Sequence, residues 1–143
     1  MNTKILNARE AVRLLVETHP EILQDAWYPT LFAGDRMSCC DEAAIVEVNG
    51  QIVALATLAP EGEMNEGVPT IVGIYTIRSE RRHGYGKTAL ETIIRRGIER
   101  GFANIRVDVL TPKAMQTIHA LPQELQDALV VNDQSMFGAG ILE

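Results

Sequence analysis

Between Thr70 and Leu110 the hydrophobic pattern changes period twice, and that switch constrains the fold more than any other feature of the chain. "TIVGIYTIR" is nearly apolar throughout, as expected of a strand covered on both faces. "SERRHGYGKT" follows, polar and basic, with Gly84 and Gly86 inside it. From Gly86 to Arg100 the residues Ala89, Leu90, Ile93, Ile94 and Ile98 make one helical stripe, and Gly101 stands where a C-terminal cap belongs. "FANIRVDVL" is extended again. A strand, glycine loop, helix and strand therefore form the centre of the chain.

The flanks add elements of both kinds. Thr3 to Leu6 reads as a short strand, and Asn7 with Glu10 three residues later is a capping box for a helix that carries Ala8, Ala11, Val12 and Leu15 on one face. Pro20 opens a second predicted helix, with Ile22, Leu23, Ala26 and Trp27 at helical spacing before Pro29. "AAIVEVNGQIVALATLA" is a hairpin, because Asn49-Gly50 suits the two positive φ angles of a type I′ turn. Pro112 starts a helix over Lys113 to Leu121, Pro122 interrupts it, and a further turn carries Leu125, Ala128 and Leu129. The tail, "VVNDQSMFGAGILE", reads as a terminal hairpin with Asn132-Asp133 near its turn. The class is α+β, and 143 residues without a linker-like segment suggest one domain over 1–143.

Composition narrows the partners. A net charge of −6 argues against broad contact with a nucleic acid backbone and favours a cationic or amine partner. The longest apolar stretch, "IVALATLAP", is too short to span a bilayer, and Arg9, Glu10 and Arg13 occupy the place of a signal peptide's apolar run, so no membrane partner is expected and the expected compartment is the cytoplasm. Cys39 and Cys40 are adjacent, cannot staple distant elements and read as reduced thiols, with no metal site around them.

The glycine loop admits several readings. Gly86-Lys87-Thr88 ends like a phosphate-binding P-loop, but Arg81 occupies the position of that motif's first glycine. Gly84, Gly86 and Ala89 match a dinucleotide fingerprint, with Asp108 downstream, yet "RSERRH" intervenes between strand and glycine and too little chain follows for a doubly wound sheet. A glycine-rich turn with a solvated basic face is the plain alternative.

Arg81-x-x-Gly84-x-Gly86, directly after an apolar strand and before an amphipathic helix, resembles the acyl-CoA pyrophosphate loop of the GNAT superfamily of N-acyltransferases. The physical basis is a helix N-terminus whose unpaired N–H groups and positive dipole end face an anion, with glycines permitting close approach. Arg81, Arg82, His83 and Lys87 add positive charge in an acidic chain. The resemblance covers about Ala43 to Leu121. It implies a mixed, mostly antiparallel central sheet with helices on both faces and a splayed strand pair, and acetyl-CoA or another acyl-CoA as co-substrate.

By that resemblance the backbone of Ile74, Tyr75 and Thr76 pairs with the pantetheine arm, and Arg82, His83, Gly84, Tyr85, Gly86 and Lys87 supply the pyrophosphate N–H groups. The chain also departs from the family. Thr111 stands where many relatives have Asn, and Ile118 where they have the Tyr that protonates the leaving thiolate. His119 is a candidate acid because imidazole titrates near neutrality, and Asp108 or Glu66 is a candidate base. Trp27, Tyr28 and Phe137 are candidate walls of an acceptor pocket.

Two functions follow as expectations. One is an N-acyltransferase that moves an acetyl or other acyl group to a primary amine of a small molecule or peptide by direct attack, with a homodimer as a possible assembly. The other, motivated by Thr111 and Ile118, is a catalytically impaired acyl-CoA-binding module with a regulatory or assembly role.

Overall fold

The computed structural model describes residues 1–25, 38–62, 67–109 and 111–133. Its framework is a six-stranded sheet in the spatial order β1 (Asn2–Asn7), β2 (Glu42–Val48), β3 (Gln51–Ala59), β4 (Thr70–Thr76), β5 (Ile105–Val109), β6 (Leu129–Asp133). The pairs β1–β2, β2–β3 and β3–β4 are antiparallel, whereas β4–β5 and β5–β6 are parallel. This is the α+β class read from the residues, with the mixed, mostly antiparallel sheet that the family resemblance implies.

Local chemistry explains most of the element boundaries. Asn49 and Gly50 have φ of 53° and 79°, the two left-handed residues that join β2 to β3 in a tight turn. Helix α1 (Ala8–Thr18) begins at Asn7, whose Oδ1 accepts from the Arg9 and Glu10 N–H groups, and it buries Ala8, Ala11, Val12 and Leu15. Only half of the expected capping box forms, because the Glu10 carboxylate pairs with Arg13 instead of reaching back.

Helix α2 (Tyr85–Glu99) lies against β2, β3 and β4 and buries Ala89, Leu90, Ile93 and Ile94. The expected stripe shifts by one residue at its end. Ile98 is 42% exposed, and Gly97 takes the inward position, where a Cβ would stand 2.6 Å from Ile105 Cδ1. At the end of α2, Arg96 and Arg100 both bond the Glu42 carboxylate, and Arg100 also pairs with Asp41. These bonds fix the helix to the start of β2.

Two expectations are corrected. In place of a helix from Pro20 to Pro29 there is a 3₁₀ turn over Pro20–Gln24, after which Asp25 turns extended at φ −72° and ψ 130°; Leu23 is exposed, and Ala26 and Trp27 lie outside the described residues. Asn132 and Asp133 are not at a hairpin turn. They belong to β6, which runs parallel to β5 in the register Asp108↔Asn132 and Val109↔Asp133. Between β5 and β6 lie α3 (Pro112–His119) and the short α4 (Gln123–Asp127), with the break at Pro122 as expected.

Every residue of β3 after Gln51 is buried, so apolar layers cover both faces of the sheet's middle. Leu15, Leu55, Leu58, Leu90, Ile93 and Ile105 are among the fully buried side chains of this core.

Candidate functional site

Strands β4 and β5 pair only at Thr70↔Arg106 and Ile71↔Val107, then part. The register against β3 shows why the separation begins there. Thr57 faces Gly73 and Leu58 faces Ile71, so Val72 is an extra residue that bends β4 away from its parallel neighbour. Past that bulge, the β5-side edge of β4 has no strand partner among the described residues. An unpaired edge of this kind can accept an added extended chain.

The opening is a cleft of about 680 Å³, floored by the parted strands and closed at its ends by the starts of α2 and α3. The two helix starts differ. Helix α3 is capped by Thr111, whose Oγ1 accepts from Ala114 N–H at 3.1 Å. Helix α2 has Gly84 as its N-cap and no side-chain cap. Its first internal bond is Thr88 N–H to Gly84 O at 3.0 Å, and the N–H groups of Tyr85, Gly86 and Lys87 have no partner among the described residues. These three donors and the positive dipole end make an anion site at the cleft.

The loop backbone is shaped for this. Arg82 and Gly84 have φ of 74° and 78°, a left-handed conformation that glycine adopts freely and arginine does not. Left-handed steps in such a loop turn successive amides toward one concavity. Gly86 permits close approach to β4, since a Cβ there would lie 3.1 Å from Thr76 Oγ1 and 3.8 Å from Ile74 Cγ2.

The charge balance favours an anion. Arg82, Lys87 and Lys113 line the cleft together with Glu80 and Asp108, and Lys87 lies 3.7 Å from the Glu91 carboxylate on the next turn of α2. Asp108 is already engaged, because its Oδ1 accepts from Arg106 Nε and Asn132 Nδ2, each at 3.0 Å. Lys113, in the first turn of α3, was not singled out in the sequence; its signal was a basic residue two positions after Thr111.

Arg81 begins the loop but turns inward. Its Nε donates to Thr76 O at 3.0 Å and its Nη2 to Asp25 Oδ2 at 2.9 Å, while Tyr75 Oη donates to the same Asp25 oxygen at 2.8 Å. Burial, and after it the hydrogen bond to the Asp25 carboxylate, pushes the Tyr75 phenol up to about 12. The family resemblance assigns Tyr75 a backbone role alone, and Asp25 carries no signal in the sequence because its partners are 50 and 56 positions away.

The remaining candidates are only partly brought together. Ile74, Tyr75, Thr76, Arg81, Arg82, Gly84, Tyr85, Gly86, Lys87, Asp108 and Thr111 all line the cleft. His83 is exposed outside that lining and stacks obliquely on Tyr85, with ring centroids 5.5 Å apart. His119 is exposed at the end of α3 and does not line the cleft; its neighbour Ile118, 3% exposed, does. The helix turn that sends Ile118 inward sends His119 to solvent. Glu66, Trp27, Tyr28 and Phe137 lie outside the described residues.

Comparison with known proteins bears on the family and the fold. The sequence profile described as Acetyltransferase (GNAT) family matches residues 8–121. A comparison with curated proteins found no match. Among solved structures, a ribosomal-protein-alanine N-acetyltransferase from Brucella melitensis biovar Abortus 2308 aligns with a TM-score of 0.54 at 16% identity, covering 83% of this chain and 89% of that one. An aminoglycoside acetyltransferase from an uncultured soil metagenomic sample, solved with trehalose, aligns with a TM-score of 0.57 at 14% identity over 85% and 88% of the two chains. A predicted acetyltransferase with acetyl-CoA from Clostridium acetobutylicum gives 0.52 at 16% identity over 85% and 89%. At these identities the likeness is one of fold.

Proposed function

Because the chain belongs to the acetyltransferase (GNAT) family, we propose that it transfers an acetyl or other acyl group from acyl-CoA to a primary amine of a small molecule or peptide. The observation that carries this reading is the uncapped start of α2, with the free N–H groups of Tyr85, Gly86 and Lys87 beside the unpaired edge of β4. A pyrophosphate suits the first feature, and an extended amide-bearing arm suits the second.

In the transfer, an amine nitrogen bonds the acyl carbonyl carbon and the carbon–sulfur bond breaks. The amine loses one proton and the departing sulfur gains one. The β4 backbone orients the donor and offers N–H groups to the carbonyl oxygen, so catalysis rests mainly on positioning and polarisation. Asp108 is our candidate among the cleft carboxylates for orienting the amine, since its bonds to Arg106 and Asn132 fix its position. The Tyr75 phenol, at about 12, binds its proton too tightly to be an efficient acid near neutral pH. Solvent entering the cleft then carries the proton traffic.

The acceptor class is proposed from the amine chemistry of the family, and the cytoplasm as the setting, with Cys39 and Cys40 read as reduced thiols. The single domain over 1–143 is likewise our reading.

A second reading is favoured by Ile118, a buried aliphatic side chain where a proton donor would serve. In it the cleft holds acyl-CoA without turning it over. Release of free CoA thiol with any member of a panel of amines, peptides and polyamines supports the enzyme. Acetyl-CoA binding with no thiol release across the whole panel supports the binding module.

A further inference from the structure

The Asp25 side chain is 5% exposed and Arg81 is 32% exposed, so their bond is an ion pair largely withdrawn from water. Such a pair contributes little net stability, since desolvation offsets most of the attraction. Its geometry is more informative than its energy. Asp25 closes the 3₁₀ turn after α1 with its N–H on Ile22 O at 3.0 Å, and one carboxylate oxygen, Oδ2, then receives both Arg81 Nη2 and Tyr75 Oη. Arg81 is held on two further sides. Its Nε bonds the Thr76 carbonyl, and its guanidinium carbon lies 5.5 Å from the centre of the Tyr75 ring.

Next to this clamp the chain takes conformations it would not hold alone. Arg82 is left-handed at φ 74°, a strained state for a residue with a Cβ, and Gly84 follows at 78°. Strained backbone persists only where its surroundings over-determine it. The three-sided hold on Arg81 is the restraint nearest to hand, and it ties the loop to β4 at the point where the unpaired edge ends.

We propose that Asp25 is a positioning residue for the anion-binding loop: it fixes Arg81 and Tyr75 so that the N–H groups at the start of α2 face the cleft already ordered. Arg81 is accordingly an anchor whose charge is directed at Asp25, and the loop's attraction for phosphate comes mainly from backbone amides and Arg82, Lys87 being 3.7 Å from the Glu91 carboxylate. This inference rests on the acyl-CoA reading for its ligand, but not for the clamp itself.

The test combines amide hydrogen exchange with calorimetric titration of CoA on the full chain, for the wild type, Asp25→Asn, Tyr75→Phe and the double variant Asp25→Asn/Arg81→Gln. The amides of Ile77, Glu80 and Thr88 frame the loop and are hydrogen-bonded, so their exchange reports its order. Asp25→Asn is expected to speed their exchange about tenfold, with the α2 interior from Leu90 to Ile94 still protected, and to weaken CoA binding about tenfold. The rate at saturating acyl-CoA should stay within about twofold. Tyr75→Phe keeps the ion pair and should give a smaller change of the same kind, which preserves the test if Asp25→Asn does not fold. The double variant should bind CoA no worse than Asp25→Asn alone, because the two residues act through one contact.

Unchanged exchange at all three amides in the single variants, or faster exchange spread evenly over the chain, overturns the proposal. A wild type that binds no CoA defeats the acyl-CoA reading instead, and the exchange comparison then decides the clamp by itself.

Discussion

Gly86, the second residue of α2, stands so close to Thr76 at the end of β4 that a Cβ on it would lie 3.1 Å from the threonine hydroxyl. A methyl group is tolerable there if the Thr76 side chain gives way, but a branched side chain would fill the space between helix start and strand edge. Gly86→Val is therefore expected to weaken CoA binding by at least about tenfold, while thermal unfolding shows the fold intact. Gly84→Ala acts differently: its Cβ meets nothing within 4 Å, so the cost is the left-handed φ of 78° alone, about 1 kcal/mol of stability.

Arg82 and Lys113 are cleft cations that form no ion pair among the described residues. Replacing either by Ala should weaken binding of CoA several-fold at low salt, and the deficit should shrink as salt rises, because exposed charges are screened within roughly 10 Å at 0.1 M. Pantetheine, which has no phosphate, should bind both variants as it binds the wild type. Parallel titrations with the two ligands check this.

Tyr75 gives the chain a pH signature. Its phenol is raised from 10.0 to about 12 in the folded state, so between those values the folded chain keeps a proton that the unfolded chain has lost. The stability from this residue is fully present below pH 10 and declines as pH rises toward 12. Absorbance near 295 nm should show a late tyrosine step near pH 12 that is missing in Tyr75→Phe. Chemical denaturation of the wild type should also lose more stability across that window than the variant does.

Gly97 packs where a Cβ would come within 2.6 Å of Ile105 Cδ1. Gly97→Ala gains helix propensity but overfills the contact between α2 and β5. The shift asked of the Ile105 methyl end and the propensity gained offset each other, and a net change within about 1 kcal/mol is expected from denaturant unfolding.

These sites show which parts of the molecule were legible in the sequence. Asn49-Gly50 announced its turn because few residue pairs tolerate two positive φ angles, and Asn7 announced α1 through a bond spanning only three residues. The start of α2 after Gly84 was legible because its signals, two glycines ahead of an apolar stripe, are local in the chain. What depends on distant parts of the chain was not. Asp25 looked like one polar residue in a helical pattern, and only folding brings it to Arg81, 56 positions away. The bulge at Val72 leaves no mark in a uniformly apolar strand, so the parting of β4 and β5 could be expected from family resemblance alone. His119 and Ile118 could not be ranked without knowing which side of α3 faces the cleft.

That facing gives one more prediction. His119 is exposed and away from the cleft lining, so His119→Ala should leave kcat and its pH dependence within about twofold of the wild type. A larger loss in initial-rate measurements would mean that the imidazole reaches the reacting atoms.

The central claim is that the start of α2 and the open edge of β4 form one acyl-CoA site. Calorimetric titration of the purified chain with CoA and acetyl-CoA at low salt tests it most directly, with Gly86→Val as the control. The account predicts saturable binding of one molecule per chain by the wild type and a large loss in the variant. No heat of binding at millimolar protein, or equal binding by a folded Gly86→Val, would contradict it.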